Sequence, residues 1–231
     1  MLYVGTFKSS VSVFTEAELL NYKKEKENDF LNMEAILLPR TKNMDISGLS
    51  LISASEAKAA GIDDYSYIST SEIPFSPEIR KICEGNTCRS YSSCWACPPS
   101  LGSYEKTKEI CLSYDNLLVF NSFYPIEDSF DFDGMKAAML KFKDVCDNLH
   151  NTILNRSNRF LVLSNEGCFR CKSCTYPNEP CRFPEKLHLS IEGFGILVNR
   201  LASAAGLNYL NGTNTVTYFG GVLFDKINSV L

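Results

Sequence analysis

Apolar runs alternate with helical periodicity along most of this chain, and the alternation predicts a sheet with helices packed against it. Met135, Ala138, Met139, Phe142, Val145, Leu149 and Ile153 recur at steps of three and four. That is the spacing of one helix face, so the stretch reads as a long amphipathic helix with its methionines in the core. Shorter apolar runs read as strands: Tyr65 to Ser71, Asn116 to Tyr124, Arg159 to Ser164 and Thr213 to Phe224. Cap signatures mark helices over Ser53 to Ala60 with Gly61 behind it, from Ser76-Pro77 to Cys83, and from Ser103 to about Ser113. Ser190 reads as the cap of a further helix whose Ile191, Phe194, Val198, Leu201 and Ala205 share a face, with Gly206 as its stop.

Helices alternating with buried-type strands give the fold class as α/β or α+β, a mixed sheet flanked by helices. Gly220-Gly221 inside the last strand marks a bulge or a close backbone approach. Residues 1–45 read as a separate helical or extended segment. In it, Thr15 and Glu18 form a capping-box pattern ahead of Leu19, Leu20 and the charged run Lys23 to Glu27, a solvated helix face. Residues 46–231 make the main domain, and it carries the chemistry described next.

Composition narrows the function. With 231 residues and 45% hydrophobic content the chain buries a substantial core. A net charge of -4 without a lysine-rich stripe sets aside a general nucleic-acid binder, which needs a basic field to meet phosphates. No run approaches the ~18 apolar residues that span a bilayer, so no membrane partner is expected. The opening Met-Leu-Tyr-Val-Gly-Thr-Phe-Lys lacks the charged start and apolar run of a signal peptide. The expected location is cytoplasmic, and the sequons at Asn155 and Asn211 then carry no meaning. Thiols in that compartment stay reduced, so clustered cysteines read as metal ligands or redox centres rather than staples.

Eight of the ten cysteines fall in two loops. The later one, Cys168-Phe-Arg-Cys171-Lys-Ser-Cys174, repeats a two-residue spacing that lets successive thiolates turn toward one centre. Three in a row is the ligand run of bacterial [4Fe-4S] ferredoxins, with a fourth ligand from elsewhere. Cys181, beyond Pro177 and Pro180, is that fourth candidate. Four-thiolate zinc is the rival, although zinc draws its ligands from two separated pairs more naturally than from three consecutive steps. A metal-free thiol site is the third option. Four basic residues, Arg170, Lys172, Arg182 and Lys186, face two acids, Glu179 and Glu185, between Cys168 and His188. This local excess of positive charge suits an anionic cluster, and the planar fork of Arg182 could also hold a carboxylate or phosphate.

The earlier loop runs Cys83, Cys88, Cys94, Trp95, Cys97-Pro98-Pro99, and its prolines fix the backbone just after a candidate ligand. Cys94 beside the single tryptophan reads more readily as a buried hydrophobe than its neighbours do. Cys111 and Cys146 lie on helices and read as core. The pairs His188 with Glu192 and Cys146 with His150 stand four apart and read as structural, since neither has further ligands nearby in sequence. The chain has no P-loop, dinucleotide fingerprint, nucleophile elbow or zincin helix.

Together these residues resemble a bacterial and archaeal family of unknown function, number 2284, described as predicted metal-binding proteins. The resemblance is carried by Cys83, Cys88, Tyr91, Trp95 and Cys97-Pro98-Pro99, and by Cys168, Cys171 and Cys174 leading to Pro180-Cys181-Arg182-Phe-Pro184-Glu185-Lys186. Ser190-Ile-Glu192 and Gly195-Ile196 extend it, so that it covers roughly residues 50 to 224. It implies metal binding, iron-sulfur in kind, in a cytosolic protein of anaerobic or facultative prokaryotes, and it brings no reaction. The chain departs from the family pattern at Cys94 and Leu189. Without Cys94 the first loop offers Cys83, Cys88 and Cys97, and a cluster on three thiolates leaves one iron open.

Three functions follow as expectations. The first is a protein with one or two [4Fe-4S] clusters that moves electrons to a redox partner or supports a redox enzyme. The second is an enzyme whose open iron takes a small anion beside Arg89 or Arg182. The third is a zinc-stabilised adaptor.

Overall fold

The computed structural model describes residues 3–7, 10–14, 50–154, 156–157 and 159–225. They fall into two units, Met1–Ser50 and Leu51–Leu231. The first unit holds an antiparallel pair, β1 (Tyr3–Phe7) and β2 (Ser10–Phe14), with Gly5 opposite Ser12. The helix expected around Lys23 to Glu27 and the sequon at Asn155 lie outside the described residues.

The second unit contains α1 (Ala54–Ala60), β3 (Asp64–Ser69), α2 (Pro77–Glu84), α3 (Tyr104–Leu112), β4 (Asn116–Pro125), α4 (Phe132–Ile153), β5 (Phe160–Ser164), β6 (Leu189–Ser190), α5 (Val198–Ala204) and β7 (Thr215–Phe224). Its strands form one mixed sheet in the order β3-β4-β7-β5-β6, antiparallel except at the parallel β5-β6 edge. The expected mixed sheet flanked by helices is therefore present.

Local chemistry sets the helix ends. Ser53 Oγ accepts from the Glu56 N–H while the Glu56 carboxylate accepts from the Ser53 N–H, and Gly61 closes α1 at φ 94. Pro77 opens α2, where a missing N–H leaves nothing unpaired. Ser103 Oγ accepts from the Lys106 N–H at the start of α3.

β4 and β7 form the centre of the sheet, and every residue from Asn116 to Ser122 is buried. Burial on both faces is why these segments read as continuous apolar runs. On one face Leu117, Val119 and Leu223 share a core with Cys111 of α3 and with Val198 and Leu201 of α5. On the other, Phe120 stacks on Phe142 of α4 with ring centroids 5.7 Å apart, and Tyr218 meets Phe142 at 5.9 Å. Each such buried side chain is worth about 1.5–3 kcal/mol, so packing more than propensity holds α4. A Cβ on Gly220 would stand 2.2 Å from Phe120 Cζ, which makes the glycine pair a close approach of backbone to ring. Cys111 and Cys146 are fully buried, as core cysteines should be. Among the described residues no helix is long and apolar enough to cross a membrane.

One expected helix is broken. Ser190 is the last residue of β6, and its Oγ accepts from the Gly193 N–H at 3.0 Å, so that it caps only a 3-10 turn over Glu192–Phe194, while α5 begins at Val198. Gly195 at φ 74 makes the break, in a left-handed conformation that costs glycine nothing. A Cβ there would also meet the Tyr104 ring at 2.5 Å. Ile191, Phe194, Val198, Leu201 and Ala205 still reach one core, but through two short turns. His188 and Glu192 therefore do not share a helix face.

Candidate metal centre

The two cysteine loops hang on different parts of this frame. The first leaves the last turn of α2, which carries Cys83, and runs to α3. The second connects the parallel strands β5 and β6. Among the described residues six non-glycine positions have positive φ, and Asn86, Arg89, Ser92, Glu166 and Phe169 are all in or beside these loops. Backbone held in this sparsely populated region needs surroundings that enforce it, and it concentrates at functional sites.

Cross-loop contacts supply that enforcement. The Ser190 N–H donates to the Ala96 carbonyl at 2.9 Å, and Trp95 Nε1 donates to the Glu179 carbonyl at 3.1 Å. The Trp95 ring stands edge-on to Tyr176 at 4.9 Å. Gly167 lies against the first loop so closely that a Cβ would come within 2.6 Å of Ser90 Oγ. Within each loop, the Ser92 N–H donates to the Pro98 carbonyl at 2.8 Å and Arg182 donates to the Ser173 carbonyl at 2.8 Å. The Pro98-Pro99 and Tyr176-Pro177 peptide bonds are cis.

Five thiols line one pocket: Cys168, Cys171, Cys174 and Cys181 of the second loop, and Cys94 from the first. Trp95, Phe169, Phe183 and Leu187 give it apolar walls, and Arg170 and Arg182 stand at its edge. Cys94, grouped in the sequence with the first loop, thus sits with the second. The void is about 30 Å³, room for a water or a single ion. Among the described residues no three or more His, Cys, Asp or Glu side chains close on one metal-ion position.

The remaining first-loop thiols are not part of that pocket's lining, although Cys97 packs in one buried cluster with Cys94, against Cys168 and Cys174. Cys83 Sγ is 3.9 Å from the Glu192 carbonyl oxygen, and Cys97 Sγ is 3.9 Å from the Glu166 carbonyl oxygen. Cys88 is exposed. Arg89 is exposed as well, at φ 59, with its carbonyl accepting from Ser93 Oγ at 3.3 Å.

The electrostatics follow from burial and from this crowding. Cys94 is held down by the thiol of Cys97 donating to its sulfur, with help from the backbone N–H groups of Cys168, Ala96 and Cys97. Cys97 is pushed up by the same contact and by burial. Burial, and then the Glu192 charge, raises Cys83 to about 11. Burial raises Cys168, with Arg170 opposing.

Beneath the loops lies a polar group absent from the sequence reading. Lys143 on α4 is almost wholly buried and donates to Ser164 Oγ at 3.0 Å and to the Asn165 carbonyl. Burial lowers its pKa, against the pull of Cys146, Glu166, Glu192 and Cys168. Burial raises Glu166 to about 7. Asn165 is buried with neither amide atom hydrogen-bonded. The available signal was Lys143 itself, a charge four residues after Met139 and three before Cys146 on an otherwise apolar face.

A family model described as "Predicted metal-binding protein (DUF2284)" matches residues 66–224. No curated protein and no solved structure matches the chain.

Proposed function

Because the chain belongs to the DUF2284 family of predicted metal-binding proteins, we propose that its second cysteine loop holds a [4Fe-4S] cluster, and that the protein carries electrons to a redox partner or supports a redox enzyme in the cytoplasm. The observation that carries this reading is the shared pocket of Cys168, Cys171, Cys174 and Cys181, three of them at two-residue steps, with Cys94 as a fifth thiol. Thiolate donors in an apolar setting suit an iron-sulfur centre or zinc among the common metals. Bound there, a cluster supplies one-electron chemistry whose potential its surroundings set.

The chain's own residues do the rest. Trp95, Phe169, Phe183 and Leu187 set apolar surface beside the half-buried thiols, which limits their contact with water and shapes the polarity around a bound group. Arg170 and Arg182 offset the negative charge that four thiolates concentrate. Arg182 also closes the segment between Cys174 and Cys181 through its bond to Ser173.

Four-thiolate zinc is the second reading, and the small void favours it. The spacing and the fifth thiol weigh on the side of iron. The experiment is metal and acid-labile sulfide analysis, with a visible spectrum, on protein purified without oxygen. Iron and sulfide in equal amounts, at about four per loaded site, is the expected result. Zinc without sulfide overturns the iron reading, and absence of metal overturns both.

A further inference from the structure

Two phenyl rings beside the five-thiol pocket face water, Phe169 at 50% and Phe183 at 44% exposure. We propose that they form the centre of a docking surface for an acidic electron-carrier protein of the flavodoxin or ferredoxin kind, with Lys172, Arg182 and Lys186 meeting the carrier's carboxylates.

Phe169 is held outward against its own backbone preference. Its φ is 52, in the left-handed region that a bulky side chain rarely enters and that persists only where the surroundings enforce it. Gly167 supplies part of that enforcement: a Cβ there would stand 3.0 Å from Phe169 Cε2 and 2.6 Å from Ser90 Oγ, so the ring packs where the two cysteine loops meet. Phe183 precedes the 3-10 turn Pro184–Lys186, in a stretch exposed from Arg182 to Lys186. Both rings line the same small pocket, so they make one patch rather than two scattered exposures. Apolar surface placed at the mouth of a site and rimmed by charge marks a place where another molecule is received.

Charge selects the partner. The chain as a whole carries -4, yet the pocket is lined by two guanidinium groups and no carboxylate. Arg170 is already paired with Asp147. Lys172, Arg182 and Lys186 are exposed, and none of them forms an ion pair among the described residues. Between Cys168 and His188 these three stand against Glu179 and Glu185, so the face is positive on a negative molecule. Such a face draws an acidic partner and turns it the right way round before contact.

A small anion would use the cations alone and leave both rings in water, whereas a protein covers them together. An apolar centre within a charged rim is the anatomy of a protein interface, and redox complexes manage with less than about 1,200 Å² of buried surface. The thiols behind the rings are half-buried, so a carrier seated there stops close to them. One electron then passes between the carrier's own flavin or iron-sulfur group and the centre, one oxidised as the other is reduced, with no bond broken and no proton moved.

This inference rests on reading the second loop as an iron-sulfur site, and the test separates the two. Iron and sulfide are counted first in anaerobically reconstituted wild type and Lys172→Glu/Lys186→Glu, whose lysine side chains take no part in the pocket lining. Electron exchange with an acidic flavodoxin is then followed by flavin absorbance in stopped flow, with basic cytochrome c as the contrasting carrier. The expected result is equal iron in both proteins and, at about 0.01 M salt, exchange with flavodoxin at least tenfold slower in the variant, the gap closing near 1 M salt. Equal rates in the two proteins at low salt, or a wild type that reacts faster with cytochrome c, overturn the docking surface and leave the cluster. A wild-type dimer in sedimentation that the same substitutions dissociate assigns the face to a second copy instead. Protein without iron and sulfide overturns the cluster reading and the carrier with it.

Discussion

Asp147 on α4 and Arg170 in the second cysteine loop form an ion pair at 2.6 Å, with both side chains largely shielded from water. Arg170 continues to the Lys143 carbonyl at 3.3 Å and to the Lys186 carbonyl at 3.0 Å. One guanidinium thus ties the loop at both ends to the helix beneath the sheet. Asp147→Asn leaves that guanidinium shielded and unpaired, at a cost of about 3 kcal/mol, the low end for a buried pair. Urea unfolding should show the loss, and transfer of metal to a chelator should be several-fold faster than in wild type. Unchanged transfer would mean that Arg170 does not brace the pocket.

His188 shares that carboxylate, with Nε2 2.8 Å from Asp147 Oδ1. Burial pushes the imidazole down to about 4, against the pull of Asp147. At neutral pH it is therefore uncharged, and its contact with Asp147 is a hydrogen bond. The unfolded chain binds a proton at about 6.5, so nothing is lost above that pH. Between 6.5 and about 4 the unfolded state takes up a proton that the native state refuses, and stability falls by up to about 1.4 kcal/mol per pH unit. Denaturant titrations of wild type and His188→Gln should differ by a constant amount above pH 6.5, with the difference shrinking toward pH 4. A difference independent of pH would refute a neutral buried His188.

The fifth thiol gives the second-loop centre a spare ligand. Cys181→Ala should keep about four irons in that pocket because Cys94 can replace the missing sulfur, while Cys94→Ala/Cys181→Ala should keep none. Cys94→Ala alone should match wild type. Iron lost in Cys94→Ala but not in Cys181→Ala would exchange the roles of the two.

Trp95 is the only tryptophan, and it lines the pocket. Its fluorescence should be quenched in loaded protein and rise as metal is removed. Trp95→Phe keeps a ring against Tyr176 but loses the bond to the Glu179 carbonyl, a net cost of about 1 kcal/mol. Its metal loss, followed by visible absorbance, should be faster than in wild type.

Elements bounded by near neighbours are legible in the sequence. Ser53, Gly61, Pro77 and Ser103 mark helix ends that the fold keeps, because caps and stops act over three or four residues. The break at Gly195 is not legible, because the apolar residues on either side keep helical spacing while the Tyr104 ring, distant in sequence, crowds the backbone between them. The donor types and the second-loop spacing are likewise visible in the chain. The position of Cys94 is not, because it depends on contacts between segments far apart, such as Ser190 with Ala96. Lys143 was in plain view on an apolar face, but its role depends on where β5 delivers Ser164 and Asn165.

The bond from Ser190 to Ala96 also bears on how the protein is made. Cys94 leaves the ribosome well before Cys168, and Ala96 gains its partner only when Ser190 has been added and β6 has paired with β5. Until then Cys94 lacks the pocket that the second loop builds around it and is open to oxidation or to the wrong ion. Metal delivery to the five-thiol pocket must therefore wait until β6 has been made, and a product truncated before it would be a scavenger of thiol-seeking metals rather than an immature form of the protein.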